Sequence, residues 1–278
     1  MAKTIVIDAG HGLNTAGKRC LKALDANETR EWILNDRIAD KLQKMLANYD
    51  CKVVRVDDST GKNDISLSAR VKAANAANAD IYISIHHNAG INGGTGGGTV
   101  IYHYNNDSSK AAAKSLYDAI IDETNLIGNR SSKIAVGNFY VINKTKMLAL
   151  LVENGFMDSK VDVPIILSES HAEKTAKGIC NFLVNKYSLK KVAASTGSAS
   201  TTTSASASAS FACYPAYSGT STSLDAILSA IGVPASYRGS WLKRRPLAKA
   251  NGISNYIGSS SQNSKLKSLA KCGRLKKV

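Results

Sequence analysis

An α/β fold, with a mostly parallel or mixed sheet flanked by helices, is predicted by three features of residues 1–187. These are short β-branched runs, amphipathic stretches between them, and a regular alternation of the two. The order begins with a strand at 4–8, Thr-Ile-Val-Ile-Asp. A helix follows at 31–46, where Leu34, Ile38, Leu42 and Met45 or Leu46 fall at helical spacing. Residues 52–56 read as a second strand, the Ala-rich 66–79 as a second helix and 80–85 as a third, apolar strand. Beyond the Gly-rich loop 93–98 come a strand at 99–104, a helix at 109–123, strands near 139–142 and 148–152, and a closing helix at 172–187. Alternation of this kind favours parallel pairing with helices on both faces, and such sheets gather their sites beyond the carboxyl ends of the strands.

The chain of 278 residues carries 36 Lys+Arg against 21 Asp+Glu, a formal net charge of +15, unevenly spread. Residues 1–187 hold 23 basic and 20 acidic side chains, whereas 211–278 hold eleven basic and one acidic. Between them, 188–210 includes the Ser/Thr/Ala run 195–210, which has nothing to bury and is expected to be a flexible tether. The predicted organisation is therefore a near-neutral unit at 1–187, a linker at 188–210 and a small basic α or α+β domain at 211–278. In the last, Ser223 precedes Leu224, Ile227, Leu228 and Ile231, the stripe of a short amphipathic helix. An internal duplication is suggested by 217–221 against 256–260, with Leu228 and Gly232 matching Leu269 and Gly273.

Several classes are excluded or disfavoured. No apolar run has the length of a membrane span, and residues 1–8 enter a strand directly, so synthesis in the cytoplasm without a signal peptide is expected. The five cysteines (Cys20, Cys51, Cys180, Cys213, Cys272) show no C-x-x-C spacing, which argues against a thiolate zinc site or a disulfide framework.

The chemistry must come from few residues. His11, between Gly10 and Gly12, lies just past the first strand. His86 and His87 end the third, and alternation sends them to opposite sides, so only one can face a site. Two imidazoles from two strand ends plus one carboxylate would make a His₂Glu zinc site with an open fourth position, Glu28 and Glu31 being the candidate carboxylates. Glu153 ends the run 148–152 and could act as the base beside such a metal, its pKa raised by apolar neighbours. His103 and His171 read as structural, and His87 as a substrate contact or a packing residue.

Four blocks carry a family resemblance: Ile5-Val6-Ile7-Asp8-Ala9-Gly10-His11-Gly12, Arg30-Glu31-Trp32-Ile33-Leu34-Asn35, Ile83-Ser84-Ile85-His86-His87-Asn88-Ala89 and Leu151-Val152-Glu153-Asn154-Gly155-Phe156. In order, they resemble the motifs of the zinc-dependent N-acetylmuramoyl-L-alanine amidases of the amidase-3 type, over about residues 1–187. The resemblance implies that His11, Glu31 and His86 bind Zn²⁺ and that Glu153 is the catalytic glutamate. Glu31 is preferred over Glu28 because the family's glutamate lies four residues before the asparagine, here Asn35. Two departures are His87, where the family often has a small residue, and Lys18-Arg19-Cys20, so substrate contacts do not transfer to that segment.

The basic tail could suit nucleic acid, an anionic membrane or an anionic wall polymer. Tyr237 to Arg245 interleaves aromatic and basic residues, in part as nucleic-acid binding would need. Pro246 is expected to interrupt the best amphipathic helix, against a membrane-surface role. Residues from Ala250 to Lys277 look like a small wall-binding module found at the end of some Gram-positive phage lysins. The expected whole is a phage endolysin that waits in the host cytoplasm until the membrane is permeabilised. It would then act on peptidoglycan while held by an anionic Gram-positive wall polymer, with neither nucleic acid nor membrane insertion involved.

Overall fold

The β-branched runs become β1 (Lys3–Ala9), β2 (Cys51–Arg55), β3 (Ile81–Asn88), β4 (Thr99–His103), β5 (Ile134–Val136) and β6 (Leu148–Phe156). They form one sheet in the order β2-β1-β3-β6-β4-β5, in a computed structural model that describes residues 2–192, 213–239, 241–253, 256 and 260–278. Every pairing is parallel except β4 against β6. Residues 1–195 and 196–278 are two separate compact units.

In the first unit, α1 (Glu31–Leu46) packs on β1, β3 and α6 (Glu169–Tyr187), and α6 packs in turn on α3 (Asp107–Thr124). On the opposite face, Val71 and Ala74 of α2 (Leu67–Ala76) and Val141 and Ile142 of α4 (Tyr140–Lys144) cover Val6, Tyr82 and Leu151. Helices thus lie on both faces, as the alternation predicts. The helix at 31–46 has the expected bounds, and α2 starts under an N-cap in which the Ser66 hydroxyl accepts from the Ala69 N–H.

Four expectations need correction. Residues 139–142, predicted as strand from their aromatic and β-branched content, fall in α4 and its N-cap. β propensity reports fit to a pleated surface rather than an intrinsic preference, and here Val141 and Ile142 pack instead against Val6, Tyr82 and Leu151. The three-residue β5 and the one-turn α5 (Val163–Ile166) are too short for periodicity to reveal. The first unit also continues past residue 187. Asp50 N–H donates to Lys190 O, Val192 N–H donates to Asn48 O and Tyr49 bridges Lys191, so 188–192 belongs to the fold rather than to a tether. Of the predicted linker, 193–210 lies outside the described residues. Finally, Pro246 sits inside a helix rather than ending one, as described below.

His171, on the first turn of α6, is buried beside Asn154, whose carbonyl its Nε2 meets at 3.3 Å. Burial pushes its pKa down to about 4, helped by the charges of Arg37 and Lys174 and opposed by the Asn154 bond. Unfolding returns the imidazole to its ordinary value near 6.5, so below that pH the unfolded chain binds a proton that the fold refuses. Metal-stripped protein is therefore expected to lose stability on acidification from pH 6.5 toward pH 4, at about 1.4 kcal/mol per pH unit from this group. Urea midpoints at pH 7 and pH 5 check this, and His171→Gln is expected to narrow the gap.

The second unit is helical: α7 (Leu224–Ala230), a 3₁₀ turn (Ala235–Tyr237), α8 (Trp241–Ala250) and α9 (Ser260–Lys271). Its own core joins Tyr214, Leu228, Leu247, Tyr256, Leu266 and Leu275. Pro246 lies within α8; it removes one N–H, but Leu247 and Ala248 are fully buried and keep the segment helical. The predicted start at Ser223 is the N-cap of α7. Leu228 with Gly232 and Leu269 with Gly273 do occupy one motif: Val233 N–H reaches Leu228 O, and Arg274 N–H reaches Leu269 O, each at 2.9 Å past a left-handed glycine. Because α8 ends the same way, through Ile253 N–H, Ala248 O and Gly252, the pattern belongs to all three helix ends rather than to two copies. Residues 257–259 of the supposed second copy lie outside the described residues. No helix among the described residues is long and apolar enough to cross a membrane.

Candidate active site

Register builds the site. Parallel pairing sets Asp8 opposite Ser84 and His86 opposite Glu153, so these four side chains project from one face of the sheet at the carboxyl ends of β1, β3 and β6. They line a cleft of about 520 Å³ together with His11, Lys18, Asp64, Arg70, Leu67, Phe139 and Tyr140. His87 points the other way, as alternation requires, and is buried with its Nδ1 2.7 Å from Asn35 Oδ1. It packs behind the cleft and does not reach it.

His11 adopts a left-handed backbone, φ 66°, held by an arginine on α2. Arg70 is fully buried and donates to Asp8, to the carbonyls of Ala9, His11 and Ile65, and to Asp64. Asp8 in turn accepts from Tyr82 and Ser84 hydroxyls. Strain at a non-glycine left-handed residue persists only where its surroundings over-determine it; here Arg70 holds the His11 carbonyl and, two residues before it, the Ala9 carbonyl. Gly10 serves a different need: a Cβ there would sit 2.0 Å from the His86 ring. Asn35 completes the support by donating to Gly10 O and to Glu31 Oε1.

His11, Glu31 and His86 converge, with donor atoms all within 4.8 Å of one another, the one such group of three among the described residues. Glu31 Oε1 lies 2.9 Å from His86 Nδ1, and Glu31 Oε2 lies 3.3 Å from His11 Nε2. Glu31 is buried at the start of α1, and its Oε2 has no hydrogen-bond partner. Burial alone would raise its pKa, but the His86 bond and the charges of His86, His11 and Lys18 hold it down to about 2, so it is ionised at neutral pH. Burial pushes His11 down to about 4, leaving its lone pair available. Glu28, the other carboxylate considered, faces Arg19 at 3.3 Å and stays outside the group.

Glu153 stands beside His86 with its Oε2 buried and without a partner. Burial, assisted by the Glu31 charge and opposed by His86 and Lys18, raises its pKa to about 7. A carboxyl poised there can take and return a proton at neutral pH. His103 is buried against Tyr104 O, and His171 belongs to α6, so both are structural. Residue-by-residue reading offered His11, one of His86 and His87, Glu28 or Glu31, and Glu153, the resemblance chose His86 and Glu31, and neither gave a role to Arg70, Asp8, Asn35 or Lys18. A charged or amide side chain interrupting an apolar strand end or helix face was the only available signal for the first three.

Two imidazoles, a desolvated carboxylate and a second carboxyl near neutrality are groups that could hold a metal and move a proton, as hydrolytic chemistry requires. A family model described as N-acetylmuramoyl-L-alanine amidase, amidase-3 type, matches residues 5–185. The N-acetylmuramoyl-L-alanine amidase CwlM of Bacillus licheniformis is 35% identical over 195 residues, 69% of this chain and 71% of the relative. The endolysin of Bacillus phage SPP1 is 31% identical over 204 residues, 72% of this chain and 70% of the relative. Among solved structures, the N-acetylmuramoyl-L-alanine amidase from Clostridium difficile 630 matches with a TM-score of 0.60 at 31% identity, over 67% of this chain and 97% of that one. The chain belongs to the amidase-3 family of N-acetylmuramoyl-L-alanine amidases, and it is a peptidoglycan amidase of mixed α/β fold.

Proposed function

We propose that this protein is a zinc-dependent endolysin that cuts the amide between the lactyl group of N-acetylmuramic acid and the L-alanine of the stem peptide. The observation that carries the reading is the convergence of His11, Glu31 and His86 around the unpartnered Oε2 of an ionised, buried Glu31. Two imidazoles and one carboxylate are the donor set of catalytic zinc, so the residues fit the metal. When bound, zinc supplies a Lewis acid for the amide carbonyl and makes water acidic enough to ionise near pH 7. Glu153 takes the proton from the attacking water and delivers it to the departing alanine nitrogen. Arg70, Asp8 and Asn35 hold His11 and Glu31 in place before substrate arrives.

The endolysin role is supported by the likeness to the SPP1 protein and by the basic second unit, eleven cationic side chains against one acidic in 211–278. That unit is a retention module for an anionic polymer of the Gram-positive wall, and its presence in the same chain raises the local enzyme concentration. A host autolysin or sporulation amidase is the second reading, favoured by the likeness, 32% identical over 191 residues, to the sporulation-specific N-acetylmuramoyl-L-alanine amidase of Bacillus subtilis.

One experiment tests both parts. Gram-positive walls digested with the full chain should release free N-terminal alanine without new reducing sugar ends; reducing ends in place of alanine would mean a glycosidase. Residues 1–192 alone should give the same products but sediment with walls far less, and full chain that prefers duplex DNA to walls at moderate salt would refute retention on the wall. Expression inside Gram-positive cells separates the two roles: an endolysin leaves the cells intact until the membrane is permeabilised.

A further inference from the structure

One cation in the cleft is left without a task. Arg70 has every nitrogen committed to Asp8, Asp64 or backbone carbonyls. Lys18 also lines the cleft, where its charge acts on Glu31 and Glu153, but among the described residues the carboxylate oxygen that its ammonium approaches is Glu31 Oε2, at 3.9 Å, beyond hydrogen-bond length. That oxygen is the atom the metal group would claim. Lys18 is not a loose surface lysine, because its loop is pinned along its length. Gly12 N–H donates to Thr15 Oγ1, Leu13 N–H to Gly61 O, Arg30 to the carbonyls of Leu13 and Thr15, and Glu31 N–H to Lys18 O. The chain is built to present this side chain, about half exposed, at the edge of the reacting centre.

Resting on the proposed amidase activity, we propose that Lys18 forms a carboxylate subsite for the stem peptide, selecting a second residue whose α-carboxylate is free over one in which it is amidated. The substrate's charges permit little else. The muramic carboxyl is consumed in the scissile amide, and the neighbouring sugar is neutral. The nearest anion is therefore the carboxylate of the second peptide residue, about 7 Å along an extended chain at roughly 3.6 Å per residue. The Lys18 ammonium stands 3.9 Å from Glu31 Oε2, at the edge of the group that would act on the scissile amide, and its flexible four-carbon stem can swing toward such a carboxylate. Pairing an ammonium with a carboxylate in a partly enclosed cleft acts on binding, so the signature is in KM.

The test uses the full chain and two soluble muramoyl peptides, identical except that the α-carboxylate of the second residue is free or amidated. The unmodified protein is expected to favour the free acid by about tenfold in kcat/KM. Lys18→Ala should bring that ratio to near one through the KM of the acidic peptide, Lys18→Arg should keep much of it, and Lys18→Glu should invert it. Bound zinc, measured alongside, should match across the set. In the Glu153→Gln background, titration calorimetry should show the same preference as binding. Equal cleavage of both peptides by the unmodified protein, or a Lys18→Ala loss that falls equally on both through kcat, overturns the subsite. Cleavage of neither peptide overturns the amidase reading beneath it.

Discussion

Glu153→Gln is expected to lower kcat by about 10²–10⁴-fold, the range over which a positioned acid–base group contributes. The variant is nearly isosteric, and it removes a group whose Oε2 has no partner, so neither packing nor an internal hydrogen bond is lost. The melting temperature and bound zinc should therefore stay at the unmodified values while turnover collapses. Steady-state release of free alanine from a soluble muramoyl peptide measures this directly, and a variant retaining a tenth of normal turnover would remove Glu153 from the mechanism. The shift of Glu153 to about 7 adds a second signature. A base must be ionised to act, so the pH profile of the unmodified enzyme should carry an ascending limb that the glutamine variant lacks.

Glu31→Gln should act earlier, on the metal. The carboxylate sits between His11 and His86 and is the one anionic donor of the group. Losing an outer partner of a metal ligand weakens binding by about 10–100-fold, and losing the charged ligand itself should exceed that range. Metal content by plasma mass spectrometry should fall from near one per chain to near zero at equal free zinc. Chelator should inactivate the unmodified protein and added Zn²⁺ restore it, whereas the variant should stay inactive throughout. Full activity in a chain shown to be metal-free would end the zinc assignment.

What could be read from the sequence follows from locality. The strand exit before His11 and the helix start at Glu31 are set by neighbours in the chain and fall where pattern put them, while β3 and β6 run on past His86 and Glu153 to Asn88 and Phe156. The opposite facings of His86 and His87 follow from the two-residue period of a strand. The support for the site is non-local and was not legible. Arg70 reaches Asp8 across 62 positions, and nothing in an Ala-rich helix announces that its arginine will hold a histidine loop. The same limit explains α4: Phe139 to Ile142 has strand-like composition, and only the folded chain shows Val141 and Ile142 packed over Val6, Tyr82 and Leu151. Lys18 was visible as a departure from the family pattern, but its direction emerged only with the pins on its loop.

The cross-strand neighbourhood of His86 and Glu153 also sets what can be engineered. The two share a rung of the sheet, so the loop between β3 and β4 could be replaced by a longer or shorter graft without separating them, provided β4 still closes the edge beside β6. A single residue inserted within β6 ahead of Glu153 would do the reverse, turning the carboxyl to the side where His87 lies. Swapped loops are therefore the tolerant route to new substrate range in this protein, and the strand interiors are the parts to leave untouched.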